Sequence, residues 1–372
     1  MKIQGKTFWN VLEITGLFLK SRSTLLAGLL LVLFLGTASP ALSADQPGEL
    51  SVIEQRVVHS LGNLRGWIKQ TEDKLRKKRY WFFGASPISQ KEFAAAKDKL
   101  IEMAQIPVTQ GFITSKKITT SYYQAGKGPT VVLLHGAGGG GIAWFRLFQP
   151  LGKHYRVIAP DVVGYGESSK PDAIYSRLYF SQWLGDFLEA LGEEEVILVG
   201  SSQGGAIALQ YTLEHPQRVK KLILVGSAGF GKLDISYSGS GLINFAKANI
   251  YPNKKNTRKR LPKIVSDVKQ FPEALLTYHV AIAHSGSWRV FWQGRGDVVK
   301  PYAKGALRGL KQPKLLVWGR QDETWPLAHA YKAASELSGA KLVLLDNSKH
   351  LPYLDQPQAL AKEILHFLTP QK

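Results

Sequence analysis

Short apolar runs alternate with longer amphipathic stretches along the chain from about residue 111 to its end. The apolar runs are rich in Val, Ile and Leu and have the length of buried strands. The predicted strands are two edge strands within 112–124, followed by 130–134, 155–159, 196–199, 219–225, 314–318 and 341–345. Helical spacing fills several of the intervals, and this alternation predicts an α/β fold with a mainly parallel central sheet flanked by helices.

The first 44 residues have a different pattern, with one uninterrupted apolar run at 25–36. Lys20 and Arg22 precede this run and small residues follow it up to Ala44, which is the layout of a secretory signal peptide. The run is shorter than the roughly 20 residues of a full membrane span. We therefore expect export to a periplasmic, extracellular or lumenal compartment by a cleaved signal peptide. The alternatives are a membrane anchor formed by residues 23–44 and a core helix of a cytosolic protein.

Residues 45–108 are predicted to form a helical, basic N-terminal extension. Apolar residues recur at helical spacing over 52–68, and a further helix is predicted over 89–104. A basic run at 74–79 is followed directly by four aromatic residues. This combination favours contact with an anionic membrane surface, and the alternative is a solvated helix end whose aromatic residues pack on the main domain.

The chain of 372 residues has no cysteine and a formal net charge of +20. The absence of cysteine excludes disulfides, a thiolate nucleophile and cysteine-based metal sites. The charge suits anionic lipid, cell-wall polymer or nucleic acid non-specifically, but no nucleic-acid-binding motif is present, so no specific nucleic-acid partner is expected. Metal-ligand spacing of the His-Glu-x-x-His type does not occur, and we expect neither a metal nor a cofactor.

The clearest chemical motif follows the predicted strand 196–199 and reads GSSQGG over 200–205. Glycine two residues before and two residues after Ser202 allows a very tight strand-to-helix turn with the serine hydroxyl at its tip. The backbone amide of Gln203 then lies at a helix N-terminus and faces any developing oxyanion. The alternative is a glycine-rich turn that contains an ordinary serine.

A second glycine-rich segment, HGAGGGG over 135–141, follows the predicted strand 130–134. Glycines in this position let backbone amides approach a ligand closely. A phosphate-binding loop is disfavoured because no Lys-Ser/Thr pair follows the glycines. Together with DVVGYGESS over 161–169, these motifs resemble the α/β-hydrolase superfamily, in its lid-bearing branch of serine esterases and lipases.

The resemblance covers residues 111–370 and implies the α/β-hydrolase fold with an inserted helical cap that shapes the substrate pocket. The interval between the predicted strands 219–225 and 314–318 is far too long for a connecting loop. Helical spacing within it predicts helices over 242–250, 264–271 and 272–283. The expected domains are a signal peptide or anchor at 1–44, the extension at 45–108, a core at 109–229 and 311–372, and the cap at 230–310.

The resemblance also implies the catalytic residues. Ser202 matches the nucleophile, and Asp322 and His350 follow it in the chain order that this fold uses. Each of the three comes directly after a predicted strand, so they are expected to meet at one edge of the sheet. In this superfamily the residue after the His-Gly pair supplies an oxyanion amide, which implies that Ala137 acts together with Gln203.

Other residues of the same types lie near these positions in the sequence. Glu323 is an alternative carboxylate if the turn shifts by one residue, whereas Asp346 is too close to His350 in its own loop to face the imidazole. His135 and Asp161 are expected to brace loops, and the remaining histidines to be structural or at the surface. The residues expected to line the substrate pocket are Gly136, Trp144 and Trp325.

These residues predict a serine hydrolase that cleaves a carboxylic ester of a small apolar acyl substrate through an acyl-enzyme. A serine at position 202 disfavours dehalogenases and epoxide hydrolases of the same fold, which have aspartate there. One alternative is a carbon–carbon bond hydrolase or a cofactor-free haloperoxidase-like enzyme. The other is a catalytically silent protein of this fold that binds a ligand or a protein partner.

Overall fold

The computed structural model describes residues 88–232, 253–294 and 297–369. The predicted signal peptide or anchor, the first part of the predicted extension and residues 233–252 of the predicted cap lie outside the described residues. Among the described residues, no helix combines the length and the apolar character that a membrane span requires. Export and membrane anchoring therefore stay predictions.

The core is an eight-stranded sheet with the strand order β1-β2-β4-β3-β5-β6-β7-β8. The strands are β1 Thr109–Ser115, β2 Ile118–Ala125, β3 Thr130–Leu134, β4 Arg156–Pro160, β5 Val196–Ser201, β6 Val219–Val225, β7 Lys314–Gly319 and β8 Lys341–Leu345. β2 pairs antiparallel with both β1 and β4, and all other neighbours are parallel. The predicted mainly parallel sheet is thus confirmed, and the carboxyl ends of β3 and β5 to β8 meet at one edge.

Helices cover both faces of this sheet. They are α1 Gln90–Met103, α2 Phe145–Gly152, α3 Arg177–Ala190, α4 Gln203–Glu214, α5 Lys254–Ile264, α6 Glu273–Ile282, α7 Trp288–Gln293, α8 Leu327–Glu336, α9 Pro352–Asp355 and α10 Pro357–Leu368. Val131 and Leu133 of β3 pack with α1, α2 and α10, and Val132 and Leu134 pack with α3, α4 and α8 on the opposite face. Because both faces are covered, β3, β5 and β7 are buried along their whole length.

Helix α1 begins with a capping box, in which the Ser89 hydroxyl accepts from the amide of Glu92 and the Glu92 carboxylate accepts from the amide of Ser89. Ala96 and Leu100 on its inner face are buried in the core. The last part of the predicted extension therefore contributes a helix to the compact unit that contains the sheet.

The described part of the segment between β6 and β7 carries α5, α6 and α7. Helix α6 packs against α1, with the rings of Tyr278 and Phe93 stacked at 5.5 Å between centroids. The helix predicted over 272–283 matches α6, but the helix predicted over 264–271 is wrong. Backbone at Val265 becomes extended and the amide of Ser266 donates to the Asp355 carboxylate (2.8 Å), which ends α5 and leaves only a single 3-10 turn at Val268–Gln270.

Candidate active site

Ser202 lies at the tip of the turn that joins β5 to α4. Its backbone angles are φ 52° and ψ −119°, a conformation that costs a non-glycine residue about 1–3 kcal/mol. Its amide donates to the carbonyl of Val225 (3.1 Å), and its carbonyl accepts from the amides of Ala228 (3.0 Å) and Gly205 (3.0 Å). A Cβ added at Gly204 would lie 2.2 Å from the carbonyl oxygen of Leu134, so this turn requires glycine there.

His350 and Asp322 form a buried pair at the same edge of the sheet. His350 follows β8 and Asp322 follows β7, and His350 Nδ1 lies 2.9 Å from Asp322 Oδ2. An ionised carboxylate can only accept, so the imidazole donates from Nδ1 and Nε2 is left able to take a proton. A Cβ at Gly226, which follows β6, would lie 3.2 Å from Asp322 Oδ2. The pair therefore sits beside the segment that holds the Ser202 backbone.

The Ser202 hydroxyl contacts an indole. Trp325 Nε1 donates to Ser202 Oγ at 3.4 Å, and among the described residues this is the hydrogen bond that the hydroxyl makes. Among the described residues, His350 bonds to Asp322 and forms no hydrogen bond with Oγ in this geometry. Such contacts between nucleophile and base often tighten only when substrate binds.

The loop after β3 runs beside the nucleophile. A Cβ at Gly136 would lie 3.0 Å from Ser202 Cβ and 3.6 Å from its Oγ, so this backbone is in direct contact with the serine. Ala137 follows it and is exposed, and the amide of Gln203 opens helix α4. The two amides expected to bind an oxyanion thus belong to segments that adjoin Ser202 from two sides.

His135 braces this loop. Its Nδ1 donates to the carbonyl of Gly136 (2.7 Å), and its Nε2 accepts from the amide of Val162 (2.9 Å). The ring is 1% exposed, and burial lowers the pKa of His135 to about 4. His135 is therefore neutral near pH 7, with both ring nitrogens engaged in holding the loop.

Asp161 organises the neighbouring loop after β4. Its carboxylate accepts from the amides of Gly141 (2.7 Å) and Glu167 (2.8 Å), and its carbonyl accepts from the hydroxyl of Ser168 (2.6 Å). Burial raises the pKa of Asp161. Its carboxylate oxygens accept hydrogen bonds from backbone amides of two loops, so Asp161 stabilises the loop structure.

The other carboxylates near His350 are turned away from it. Asp346 pairs with Arg320 at the surface (2.6 Å), and Glu323 pairs with Lys349 (2.6 Å). Among the described residues, Asp322 is thus the carboxylate that meets the His350 ring.

The three predicted pocket residues have different positions. Gly136 and Trp325 contact Ser202 as described. Trp144 has no exposed surface, and its ring packs in a tilted arrangement on that of Tyr353 at 4.4 Å between centroids. We therefore assign Trp144 to the core, where α2 and α9 pack together, and remove it from the predicted pocket.

Two residues of helix α6, in the segment between β6 and β7, approach the site, and neither is among the predicted site residues. The Tyr278 hydroxyl lies 3.3 Å from Asp161 Oδ1, and a Cβ at Gly138 would lie 3.6 Å from His279 Cε1. Burial, with the nearby charge of Arg260, lowers the pKa of His279 to about 4. Only the folded arrangement could reveal these contacts, because α6 is more than a hundred residues away from both loops in the chain.

An open cleft of about 470 Å³ lies elsewhere, lined by Lys127, Arg156 and residues of the turn between β2 and β3. This turn precedes β3, so the cleft is at the opposite edge of the sheet from Ser202. Within the described ranges, no group of three or more His, Asp or Glu side chains is arranged to hold a metal ion.

Comparisons with known proteins all indicate the α/β-hydrolase superfamily. The family profile described as alpha/beta hydrolase fold matches residues 129–262. The chain is 32% identical over 268 residues to 2-hydroxymuconate semialdehyde hydrolase of Pseudomonas sp. strain CF600. This alignment covers 69% of this chain and 93% of that protein. It is 25% identical over 290 residues to 2-hydroxy-6-oxo-6-(2'-aminophenyl)hexa-2,4-dienoic acid hydrolase of Metapseudomonas resinovorans, covering 73% of this chain and 95% of that protein.

Solved structures share the fold. A membrane phospholipase A described as a bacterial virulence factor superposes with a TM-score of 0.65 at 23% identity, over 84% of this chain and 98% of that one. Naproxen esterase from Bacillus subtilis superposes with a TM-score of 0.66 at 19% identity, over 76% of this chain and 100% of that one.

Proposed function

The chain belongs to the α/β-hydrolase superfamily, and from that premise we propose that this hydrolase is a serine enzyme that cleaves a carboxylic ester through an acyl-enzyme. The observation that carries the proposal is the buried His350–Asp322 pair at 2.9 Å, on loops at the sheet edge where the strained turn presents Ser202. Nucleophile, base and orienting carboxylate are the three groups that this chemistry needs.

In the proposed reaction, Ser202 Oγ attacks the ester carbonyl carbon and its proton passes to His350 Nε2. The tetrahedral oxyanion is bound by the amides of Ala137 and Gln203, each of which is worth about 3–4 kcal/mol in the transition state. The leaving alcohol takes the proton from His350, and the acyl group stays on Ser202. Water then attacks in the same way, and the acid is released.

A carbon–carbon bond hydrolase is the second candidate. It is favoured by one observation, the 32% identity to a protein named 2-hydroxymuconate semialdehyde hydrolase. The same groups serve both reactions, so product analysis on simple esters and on that protein's substrate separates the two. The haloperoxidase-like alternative shares these groups as well and is tested by halide-dependent oxidation.

Labelling with a fluorophosphonate probe tests the proposal directly. We compare the full chain with Ser202→Ala and with Ser201→Ala, a matched control in which the neighbouring serine is removed. Ser201 is buried, and among the described residues its hydroxyl has no hydrogen-bond partner. We expect labelling of the wild type and of Ser201→Ala, and none of Ser202→Ala. A folded wild-type protein that takes up no probe and hydrolyses no ester would favour the catalytically silent alternative.

A further inference from the structure

The two oxygens of the Asp322 carboxylate have separate tasks. Oδ2 pairs with His350, whereas Oδ1 accepts from the backbone amides of Thr324 (2.8 Å) and Trp325 (2.9 Å). The residue that orients the imidazole therefore also fixes the backbone of Trp325. Both side chains are positioned by one carboxylate.

The Trp325 side chain is held in a single orientation. It is 1% exposed, its carbonyl accepts from the indole of Trp318 (2.7 Å), and its ring lies 5.5 Å from that of His329 between centroids. In this position its own indole N–H is directed at Ser202 Oγ, 3.4 Å away. The nucleophilic oxygen thus has a rigid donor that the proposed mechanism does not use.

The Trp325 N–H stabilises the transition state to different extents in acylation and in deacylation. Before acylation, the Ser202 hydroxyl already accepts the indole N–H, so part of the bond is present in the ground state and gives no acceleration. In the acyl-enzyme, Oγ is the bridging oxygen of an ester, which is a weak acceptor. It gains negative charge as its bond to the acyl carbon breaks, and hydrogen bonds to charged acceptors are the stronger ones.

We propose that Trp325 is a catalytic hydrogen-bond donor that accelerates deacylation by stabilising the Ser202 oxygen as it leaves. This role presupposes the acyl-enzyme proposed above. Water adds to the acyl carbon and gives its proton to His350 Nε2. The carbon–Oγ bond then breaks with its electron pair on Oγ, and Oγ takes that proton back from His350. Trp325 keeps its own proton throughout.

Pre-steady-state hydrolysis of 4-nitrophenyl acetate by the full chain tests this role. In Trp325→Phe we expect a nitrophenol burst of about one equivalent with a rate constant within about threefold of wild type. The steady-state rate should fall about tenfold, which corresponds to about 1.4 kcal/mol. Intact mass measured on quenched enzyme should show a larger acetylated fraction than in the wild type.

Trp183→Phe is the matched control. Trp183 is a buried tryptophan of α3, and its indole donates to the hydroxyl of Thr120 (2.9 Å), so the substitution removes the same kind of bond away from the site. We expect wild-type burst and steady-state rates. If Trp325→Phe does not fold, β-(3-benzothienyl)alanine at position 325 removes the N–H while keeping ring size and shape, and the same kinetics are expected from it.

Two results would overturn the role of Trp325 and leave the ester hydrolase intact: unchanged kinetics, or equal slowing of burst and steady state, which indicates a packing or pocket role. A folded wild-type protein that forms no acetyl-enzyme and releases no nitrophenol above Ser202→Ala would overturn both proposals. The wild-type arm therefore distinguishes failure of the function from failure of the Trp325 role.

Discussion

At the scale of the residue, the fold holds Ser202 in a backbone conformation that residues other than glycine rarely adopt. Its φ of 52° is maintained because Val225 and Ala228 bond to its amide and carbonyl. The Gly-x-Ser-x-Gly spacing was sufficient to predict this turn, since only glycine fits so close to neighbouring backbone. The contact between Trp325 and Ser202 could not be predicted, because it depends on how Asp322 and Trp318 hold a side chain from a different loop.

Replacing Asp322 by Asn keeps the shape of the side chain and removes its charge. The amide can no longer hold the tautomer in which His350 Nδ1 donates, so we expect kcat on a nitrophenyl ester to fall about 10³- to 10⁴-fold. Asp346→Asn is the matched control, since Asp346 is a surface residue paired with Arg320, and it should retain wild-type kcat. Comparable losses in both variants would argue against Asp322 as the orienting carboxylate.

At the scale of the element, periodicity predicted the strands well and the helices between β6 and β7 less well. Each parallel strand is a compact apolar run between polar turns, so its position is visible in the sequence. Helix α5 carries a basic run and a proline at position 262, and it is strongly polar overall, with Thr257 and Leu261 as its buried residues. Its end is set by the bond from Ser266 to Asp355, a residue of a distant helix. That contact cannot be predicted from the local sequence, because its two residues are far apart in the chain.

Helix α1 provides an element-scale prediction. Leu100 is 0% exposed and packs among core residues of the sheet and of α2, so Leu100→Ala should lower the free energy of unfolding by about 3 kcal/mol through lost burial and a residual cavity. Asp98→Ala, an exposed position on the same helix, should change it by less than about 0.5 kcal/mol. Urea denaturation measures both. A change below about 1 kcal/mol for Leu100→Ala would mean that α1 unfolds separately from the core.

At the scale of the whole molecule, some of the basic side chains behind the net charge of +20 form ion pairs within the fold. In the basic run on α5, Lys254 and Arg258 both pair with Glu273, whereas Lys255 and Lys259 are exposed. We therefore propose that contact with an anionic membrane surface would engage only part of this run. It would weaken as salt screens the exposed charges.

Acid sensitivity is a property of the whole molecule to which His135 contributes. Its folded pKa of about 4 lies below the ordinary 6.5, so above pH 6.5 it is neutral in both states. As the pH falls from 6.5 towards 4, the unfolded chain takes the proton first and stability is lost. Between pH 7.5 and 4.5, the wild type should lose about 2–3 kcal/mol more unfolding free energy than His135→Gln.

Urea denaturation at the two pH values measures this difference. Burial raises the pKa of Asp161, so the contribution of Asp161 to the pH dependence of stability has the opposite sign to that of His135. Both proteins compared contain Asp161, so its contribution cancels in the difference between them. His366→Gln, an exposed histidine of α10, should lose as much stability as the wild type. Equal losses in His135→Gln and wild type would contradict a buried, neutral His135.

Ser202 is synthesised before some of the residues that hold its backbone in the folded protein. The ribosome makes it before Val225 and Ala228, two of the residues that bond to its backbone. Chains acquire structure from the N-terminal side as they emerge, yet this turn waits for a strand still to come. Until β6 has docked beside β5, the bonds to Val225 and Ala228 are absent, and the Ser202 backbone is bonded only through the amides of Gly205 and Ala206 in the following helix. A nascent chain that ends before residue 225 thus contains the nucleophile but lacks the strand end and loop that complete the bonding of its backbone.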